Sequence, residues 1–222
     1  MPRPKRISLG GYVYHILNRA NGRLRIFQTE SDFLVFEKVL AGGLKLFSMR
    51  LCGYCIMSNH WHMLLWPQGD GDLSNFMHWV TLTHTQRYHS IHGTIGIGHL
   101  YQGRYKSFPV QSDSHYLSVL RYIEANPVRA ELVRDAGLWP WSSFAVRQGR
   151  ESNILLCNGP VELPSDWPGL VHAAFDPASL NGIGNSLCRG APFGDENWTE
   201  ATTNLLKLQS TLRPRGRPRK GT

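Results

Sequence analysis

The amino-acid sequence predicts an α+β fold in which an antiparallel sheet is covered by helices on one face. Segments rich in strand-forming residues alternate along the chain with longer segments whose apolar residues recur at helical spacing. The expected order is strand, helix, strand pair, helix, short strand and helix, which is typical of this class. With 222 residues, 41% of them hydrophobic and only 18% charged, the chain can bury the core that such a fold requires.

The first two predicted elements follow each other closely. Residues 12–18 alternate loosely and are rich in strand formers, which predicts a strand. Residues 29–47 are predicted to form a helix with Ser31 or Asp32 as its N-cap. The apolar residues that mark this helix are Phe33, Phe36, Val39, Leu40 and Leu44.

The middle of the chain supplies the rest of the sheet. Strands are expected at 49–55 and 61–66, and the two could form one pair that meets at a tight turn. A helix is predicted over 73–91, followed by a glycine-rich loop over 93–103. A short strand at 107–110 completes the predicted sheet.

The last helix of this region is predicted over 113–126, and it carries a polar stripe. It ends at Asn126 because the residue before a proline disfavours the α conformation. Ser118, Tyr122 and Asn126 follow each other at intervals of four, so they share one side of the helix. Tyr116 lies nearer the apolar stripe and is the better core candidate, whereas the Asn126 amide oxygen could serve as a metal ligand.

Composition divides the chain into three parts. Residues 1–150 are expected to form the main domain, 151–212 a small acidic helical appendage and 213–222 a basic tail. The net charge is +8, and the tail contributes five basic residues and no acidic ones. A basic first part with basic ends suits a polyanion partner such as nucleic acid.

Several protein classes are excluded or disfavoured. The longest apolar stretch, residues 51–66, is interrupted by polar residues that include two histidines, which excludes a membrane-spanning helix. No secretory signal is visible, and four cysteines are too few for a disulfide scaffold, so we expect reduced thiols and a cytoplasmic, nucleoid-associated protein.

The sharpest local motif is His60-Trp61-His62. On a strand, side chains alternate, so the two imidazoles share one face about 7 Å apart and can ligate one divalent ion. A zinc site built with Cys52 and Cys55 is a less favoured alternative, because on a regular strand these cysteines would point to opposite faces.

These motifs resemble those of REP-associated tyrosine transposases, members of the HUH single-strand endonuclease superfamily. The His–hydrophobic–His motif matches residues 60–62, and the family's nucleophile segment matches the run from Tyr122 through Asn126-Pro127-Val128. The resemblance covers about residues 8–150 and extends to Asn18-Arg19, to the segment 101–106 and to Trp139-Pro140-Trp141-Ser142-Ser143.

The resemblance implies a ferredoxin-like sheet with the histidine pair on a central strand and Tyr122 on an adjacent helix. It implies Mg²⁺ or Mn²⁺ as cofactor at His60 and His62, and hairpin-forming single-stranded DNA as substrate. From its place on the polar stripe of the helix, Asn126 is expected as a further metal ligand. Tyr122 would be the nucleophile that forms a 5′-phosphotyrosine. Relatives in the superfamily are dimers or monomers, so both oligomeric states remain open.

Two segments are expected to hold DNA. Arg104, Tyr105 and Lys106 combine charge with an aromatic ring, which suits a base stacked beside a phosphate. Arg215-Gly216-Arg217-Pro218 is similar to an AT-hook, whose two arginines can enter a narrow minor groove.

Two other functions remain open from the residues alone. One is a non-enzymatic DNA-binding or regulatory protein with the same fold. The other is a metal-dependent hydrolase in which the histidines activate water and Tyr122 takes no part.

Overall fold

The computed structural model describes residues 8–213, which form one four-stranded sheet and nine α-helices. The strands are β1 (Val13–Arg19), β2 (Met49–Met57), β3 (His60–Pro67) and β4 (Lys106–Val110). They are ordered β2-β3-β1-β4, and every neighbouring pair is antiparallel. The predicted tight turn between β2 and β3 is therefore confirmed.

The longer helices of the first 150 residues are α1 (Glu30–Leu46), α2 (Asp72–Ile91) and α3 (Ser114–Glu124). The short helices α4 (Asn126–Arg129) and α5 (Ser143–Arg147) follow. The order β1-α1-β2-β3-α2-β4 is that of a ferredoxin-like unit. The C-terminal helices are α6 (Trp167–His172), α7 (Pro177–Arg189), α8 (Glu196–Leu205) and α9 (Gln209–Leu212).

The sheet is buried on both faces. One face, with Ile16, Tyr54 and Trp61, packs against α1 and α2. The other, here called the α3 face, packs against α3 and carries Leu64 and Phe108. The α+β class is confirmed. The expectation of helices on one face holds for α1 and α2 only, because the strands carry apolar residues at both odd and even positions and each face needs a cover.

Helix α1 begins with a capping box. Its N-cap is Thr29, not Ser31 or Asp32 as predicted. Asp32 instead occupies the third helical position, where its carboxylate accepts the backbone N–H of Thr29 at 2.8 Å while the Thr29 side chain accepts the N–H of Asp32.

Strand β2 contains a bulge that changes the side on which its cysteines lie. The register with β3 shifts between Leu51 and Gly53. Because one extra residue reverses the alternation, Cys52 and Cys55 both pack on the α3 face, which corrects the expectation that they point to opposite faces.

The chain after residue 150 packs against the first part. Cys157 donates its backbone N–H to Leu51 at the β2 edge, and Phe193 exchanges backbone hydrogen bonds with Pro109 and Gln111 at the β4 edge. Helices α6–α9 agree with the helical character predicted for 151–212, and the division of domains at residue 150 stays a prediction. Arg215 and Arg217 lie outside the described residues. No helix within residues 8–213 is long and apolar enough to cross a membrane.

Candidate active site

The two histidines of the His-Trp-His motif lie at the start of β3, an interior strand of the sheet. Their ring centroids are 5.1 Å apart on the α3 face. Trp61 points to the opposite face, where it is fully buried against Phe36 of α1. Strand alternation therefore separates the pair from the tryptophan, as predicted.

His62 is held by a third histidine that the sequence analysis missed. His15 of β1 is fully buried, and its Nε2 lies 2.9 Å from Nδ1 of His62. The two rings meet because β1 pairs with β3 so that Leu17 lies opposite His62 and His15 opposite Leu64. Alternation from Val13 would place His15 on this face, but its partner depends on the register between the two strands.

Hydrogen bonds orient both members of the pair. The Asn59 side-chain oxygen accepts from Nδ1 of His60 at 2.6 Å, which leaves Nε2 of His60 with a free lone pair. When His62 donates from Nδ1 to His15, its own Nε2 is free in the same way. Such outer hydrogen bonds are what set the tautomer and orientation of metal-binding histidines.

Both imidazoles are neutral at pH 7. Burial lowers the pKa of His60 to about 4, with a smaller effect of the Arg19 charge. Burial also holds the pKa of His62 well below its usual value of 6.5, and the neighbouring His15 and His60 add to this. Neutral imidazole is the metal-binding form, so the donor set fits a divalent ion.

Helix α3 brings Tyr122 to this pair. The Tyr122 ring lies 5.8 Å from the His62 ring, edge to face, and 6.3 Å from the His15 ring. Tyr116 is 1% exposed and packs in the core, so the helical spacing distinguished the two tyrosines correctly.

The end of α3 is anchored by a buried carboxylate. Glu124 is fully buried, accepts hydrogen bonds from Ser143, Arg147 and Trp167, and thereby ties α3 to α5 and α6. After Ala125, Asn126 begins α4 and is buried, with 8% of the residue exposed. The role of Asn126 as a metal ligand stays a prediction.

A comparison with protein families agrees with this arrangement. The profile of the IS200-like transposases matches residues 8–126, more than half of the chain. The chain belongs to the IS200-like transposase family. This membership assigns it a transposase-like role in DNA processing.

The fold of this family member resembles that of a REP-associated tyrosine transposase solved in complex with a REP hairpin. The two chains share 18% identity with a TM-score of 0.55, over 71% of this chain and 92% of the other. The likeness confirms the ferredoxin-like fold that the motifs implied. No curated protein sequence matches the chain.

The described part of the chain lacks the group of ligands that the zinc alternative requires. Between residues 8 and 213, no three His, Cys, Asp or Glu side chains are grouped so that they could hold a metal ion. Cys52 lies beside Cys157, with 3.4 Å between the sulfurs, whereas Cys55 pairs with His62 across β2 and β3.

The predicted DNA-binding segment is divided between the two faces. Lys106 is exposed at the start of β4 and pairs with Leu17, on the same face as His62. Tyr105 is half-buried against the cluster formed by α1 and α2, and Arg104 is exposed. Of the three, Lys106 is placed on the side of the candidate active site, and the role of each in DNA binding stays a prediction.

Proposed function

We propose that the chain is a metal-dependent single-stranded DNA endonuclease and strand transferase with Tyr122 as its nucleophile. The observation that carries the proposal is the position of the Tyr122 ring 5.8 Å from His62, beside a pair of neutral histidines oriented by hydrogen bonds. Membership of a transposase family supports the reaction class.

The proposed substrate is hairpin-forming or palindromic DNA. The structure that this fold resembles is bound to a REP hairpin. A hairpin offers both a duplex stem and an unpaired flank, and the unpaired flank is the part that an active site of this kind can engage. Association with the nucleoid would follow from this substrate.

The proposed cofactor is Mg²⁺ or Mn²⁺, held by Nε2 of His60, Nε2 of His62 and the Asn126 amide oxygen. When bound, such an ion supplies Lewis-acid polarisation of a phosphoryl oxygen. Two protein nitrogens and one oxygen leave coordination positions open, as a catalytic site requires.

Tyr122 carries the covalent step. Its hydroxyl oxygen attacks the scissile phosphorus, and the phenolic proton is lost as the new O–P bond forms. The bond from phosphorus to the 3′-oxygen breaks, and that oxygen takes up a proton to become a free 3′-OH. The 5′-phosphotyrosine keeps a phosphodiester, so attack by another 3′-OH can rejoin DNA without a nucleotide cofactor.

The test mixes the protein with labelled hairpin oligonucleotides that carry randomised single-stranded flanks, in the presence of Mn²⁺, and resolves the products on a denaturing gel. We expect a slow band that survives SDS and is absent with Tyr122→Phe. Tyr116→Phe, which alters the other tyrosine of the same helix, should retain the band.

The other outcomes decide between the alternatives. Cut DNA without the slow band would show that water is the nucleophile and that the protein is a hydrolase. Tight hairpin binding without any cleavage would favour a non-enzymatic DNA-binding protein.

A further inference from the structure

An arginine of the Asn18-Arg19 motif, which takes no part in the proposed metal site, lies beside the histidine pair. Arg19, the last residue of β1, is directly opposite His60 in the pairing of β1 with β3. Its Nε is buried without a hydrogen-bond partner among the described residues. A buried donor left unpaired is unfavourable, so this N–H is available to an acceptor from outside the described residues.

A second arginine covers the proposed nucleophile. The guanidinium of Arg129, on the exposed side of α4, lies 4.4 Å from the centre of the Tyr122 ring. The same guanidinium is 5.5 Å from the ring of Phe175. The Tyr122 ring in turn lies 5.8 Å from the ring of His62, so Arg129 and Arg19 approach the histidine pair from α4 and from β1.

Neither arginine is neutralised by a carboxylate within residues 8–213. The contrast is with Arg147 and Arg150, which are paired with Glu124 and Glu37 at 3.0 and 2.7 Å. Two cations without carboxylate partners near the same histidine pair favour the binding of an anion, which offsets their charge.

We propose that Arg19 and Arg129 together form one anion-binding site that takes the non-bridging oxygens of a DNA phosphodiester. The inference rests on the proposed function, because it places this phosphate between the histidine pair and Tyr122. Guanidinium groups suit the task, since their planar N–H donors match two phosphate oxygens at once.

The two positions suggest different contributions to the same reaction. Arg19, beside His60, would hold the phosphate before attack. Arg129, over the ring of Tyr122, would lie next to the oxygen that forms the new bond. Negative charge grows on the phosphoryl oxygens during transfer, and fixed cations at that point stabilise the transition state.

The first experiment needs no DNA cleavage. The arginine Nε–Hε NMR signals of the metal-free, full-length protein are followed during titration with inorganic phosphate and with dimethyl phosphate, at constant ionic strength set by NaCl. We expect the Arg19 and Arg129 signals to shift with one shared dissociation constant, while the ion-paired Arg147 and Arg150 signals stay in place. Arg19→Gln should weaken the affinity read at Arg129 about tenfold or more.

Either of two results would overturn the proposal. The signals of Arg19 and Arg129 could respond to phosphate no more than to chloride, or they could saturate with clearly different constants. The NMR shifts and their dissociation constants do not depend on whether Tyr122 forms an adduct. Failure of the anion site can therefore be distinguished from failure of the proposed function.

A second experiment measures the consequence for the reaction. Arg129→Gln should lower the rate of covalent adduct formation about 100-fold and change hairpin affinity less than about threefold, and Arg129→Lys should restore part of the rate. Arg134→Gln, a change at an exposed arginine five residues further along the chain, is the matched control and should leave the rate unchanged. If Arg129→Gln and Arg134→Gln lower the rate of adduct formation equally, the loss is a general effect of charge and the proposal is wrong.

Discussion

At the scale of single residues, the contact between His15 and His62 is the feature with the clearest consequence. His15 fixes the ring of His62 through one hydrogen bond of 2.9 Å. Its ring also lies 6.3 Å from that of Tyr122, nearly perpendicular to it. His15→Phe keeps an aromatic ring, although a larger one, at this buried position and removes the hydrogen bond. We expect it to weaken Mn²⁺ affinity about 10- to 100-fold, because histidine ligands depend on such outer partners.

Calorimetric titration of the metal-free protein with MnCl₂ measures that affinity directly. His78→Phe, at an exposed position of α2, is the control and should not change it. Urea unfolding in EDTA shows whether the His15 variant retains its fold. Unchanged Mn²⁺ affinity in a folded His15→Phe protein would contradict the assigned role.

At the scale of elements, the contact between β2 and α3 positions the helix that carries Tyr122. A Cβ on Gly53 would lie 2.3 Å from Cδ1 of Leu120, so a side chain fits here only if Leu120 or its helix moves. Gly53→Ala is expected to lower the free energy of unfolding by about 1–3 kcal/mol through overpacking. It should also slow adduct formation, because Leu120 and Tyr122 move with the same helix.

Gly184 provides the matched control within a helix. No atom lies within 4 Å of the place where its Cβ would stand on α7. Gly184→Ala should therefore stabilise the protein by about 0.5–1 kcal/mol, since alanine loses less backbone entropy in a helix. Urea unfolding of both variants tests whether the free energy of unfolding falls for Gly53→Ala and rises for Gly184→Ala. If Gly53→Ala stabilises the protein instead, α3 adapts to the extra methyl group.

At the scale of the whole molecule, buried histidines make the metal-free protein sensitive to acid. Burial lowers the pKa of His15 to about 3, of His60 to about 4 and of His84 to about 3, and that of His62 also falls. Below pH 6.5 the unfolded chain binds protons that the folded chain excludes. Stability is therefore fully present above about pH 6.5 and lost as the pH falls toward 4.

His84 tests this prediction away from the candidate active site. It lies on the buried side of α2, packed against Phe27 and Phe36, and its Nδ1 lies 2.6 Å from the Tyr101 hydroxyl. Between pH 6 and 4, His84→Phe should reduce the slope of unfolding free energy against pH by about 1.4 kcal/mol per pH unit. Urea unfolding in EDTA at a series of pH values measures the slope. An unchanged slope would mean that His84 takes up its proton without unfolding.

The sequence by itself determined the elements and the main chemical groups. Strand alternation placed His60 and His62 on one side and Trp61 on the other, and helical spacing separated Tyr122 from the core residue Tyr116. These are local properties, because the period of a strand or helix sets the direction of each side chain relative to its neighbours. The resemblance of the motifs to a known family then supplied the ferredoxin-like fold.

Only the tertiary structure decided which groups from distant parts of the chain meet. The contact of His15 with His62 depends on the register of β1 against β3, and the bulge in β2 places Cys52 and Cys55 on one face. Helix α3 covers the second face because the sheet is apolar on both sides. Arg19 lies opposite His60, and Arg129 covers Tyr122 beside His62, although the two arginines are far apart in sequence. Such contacts depend on strand register and on packing of the whole core, which local periodicity does not determine.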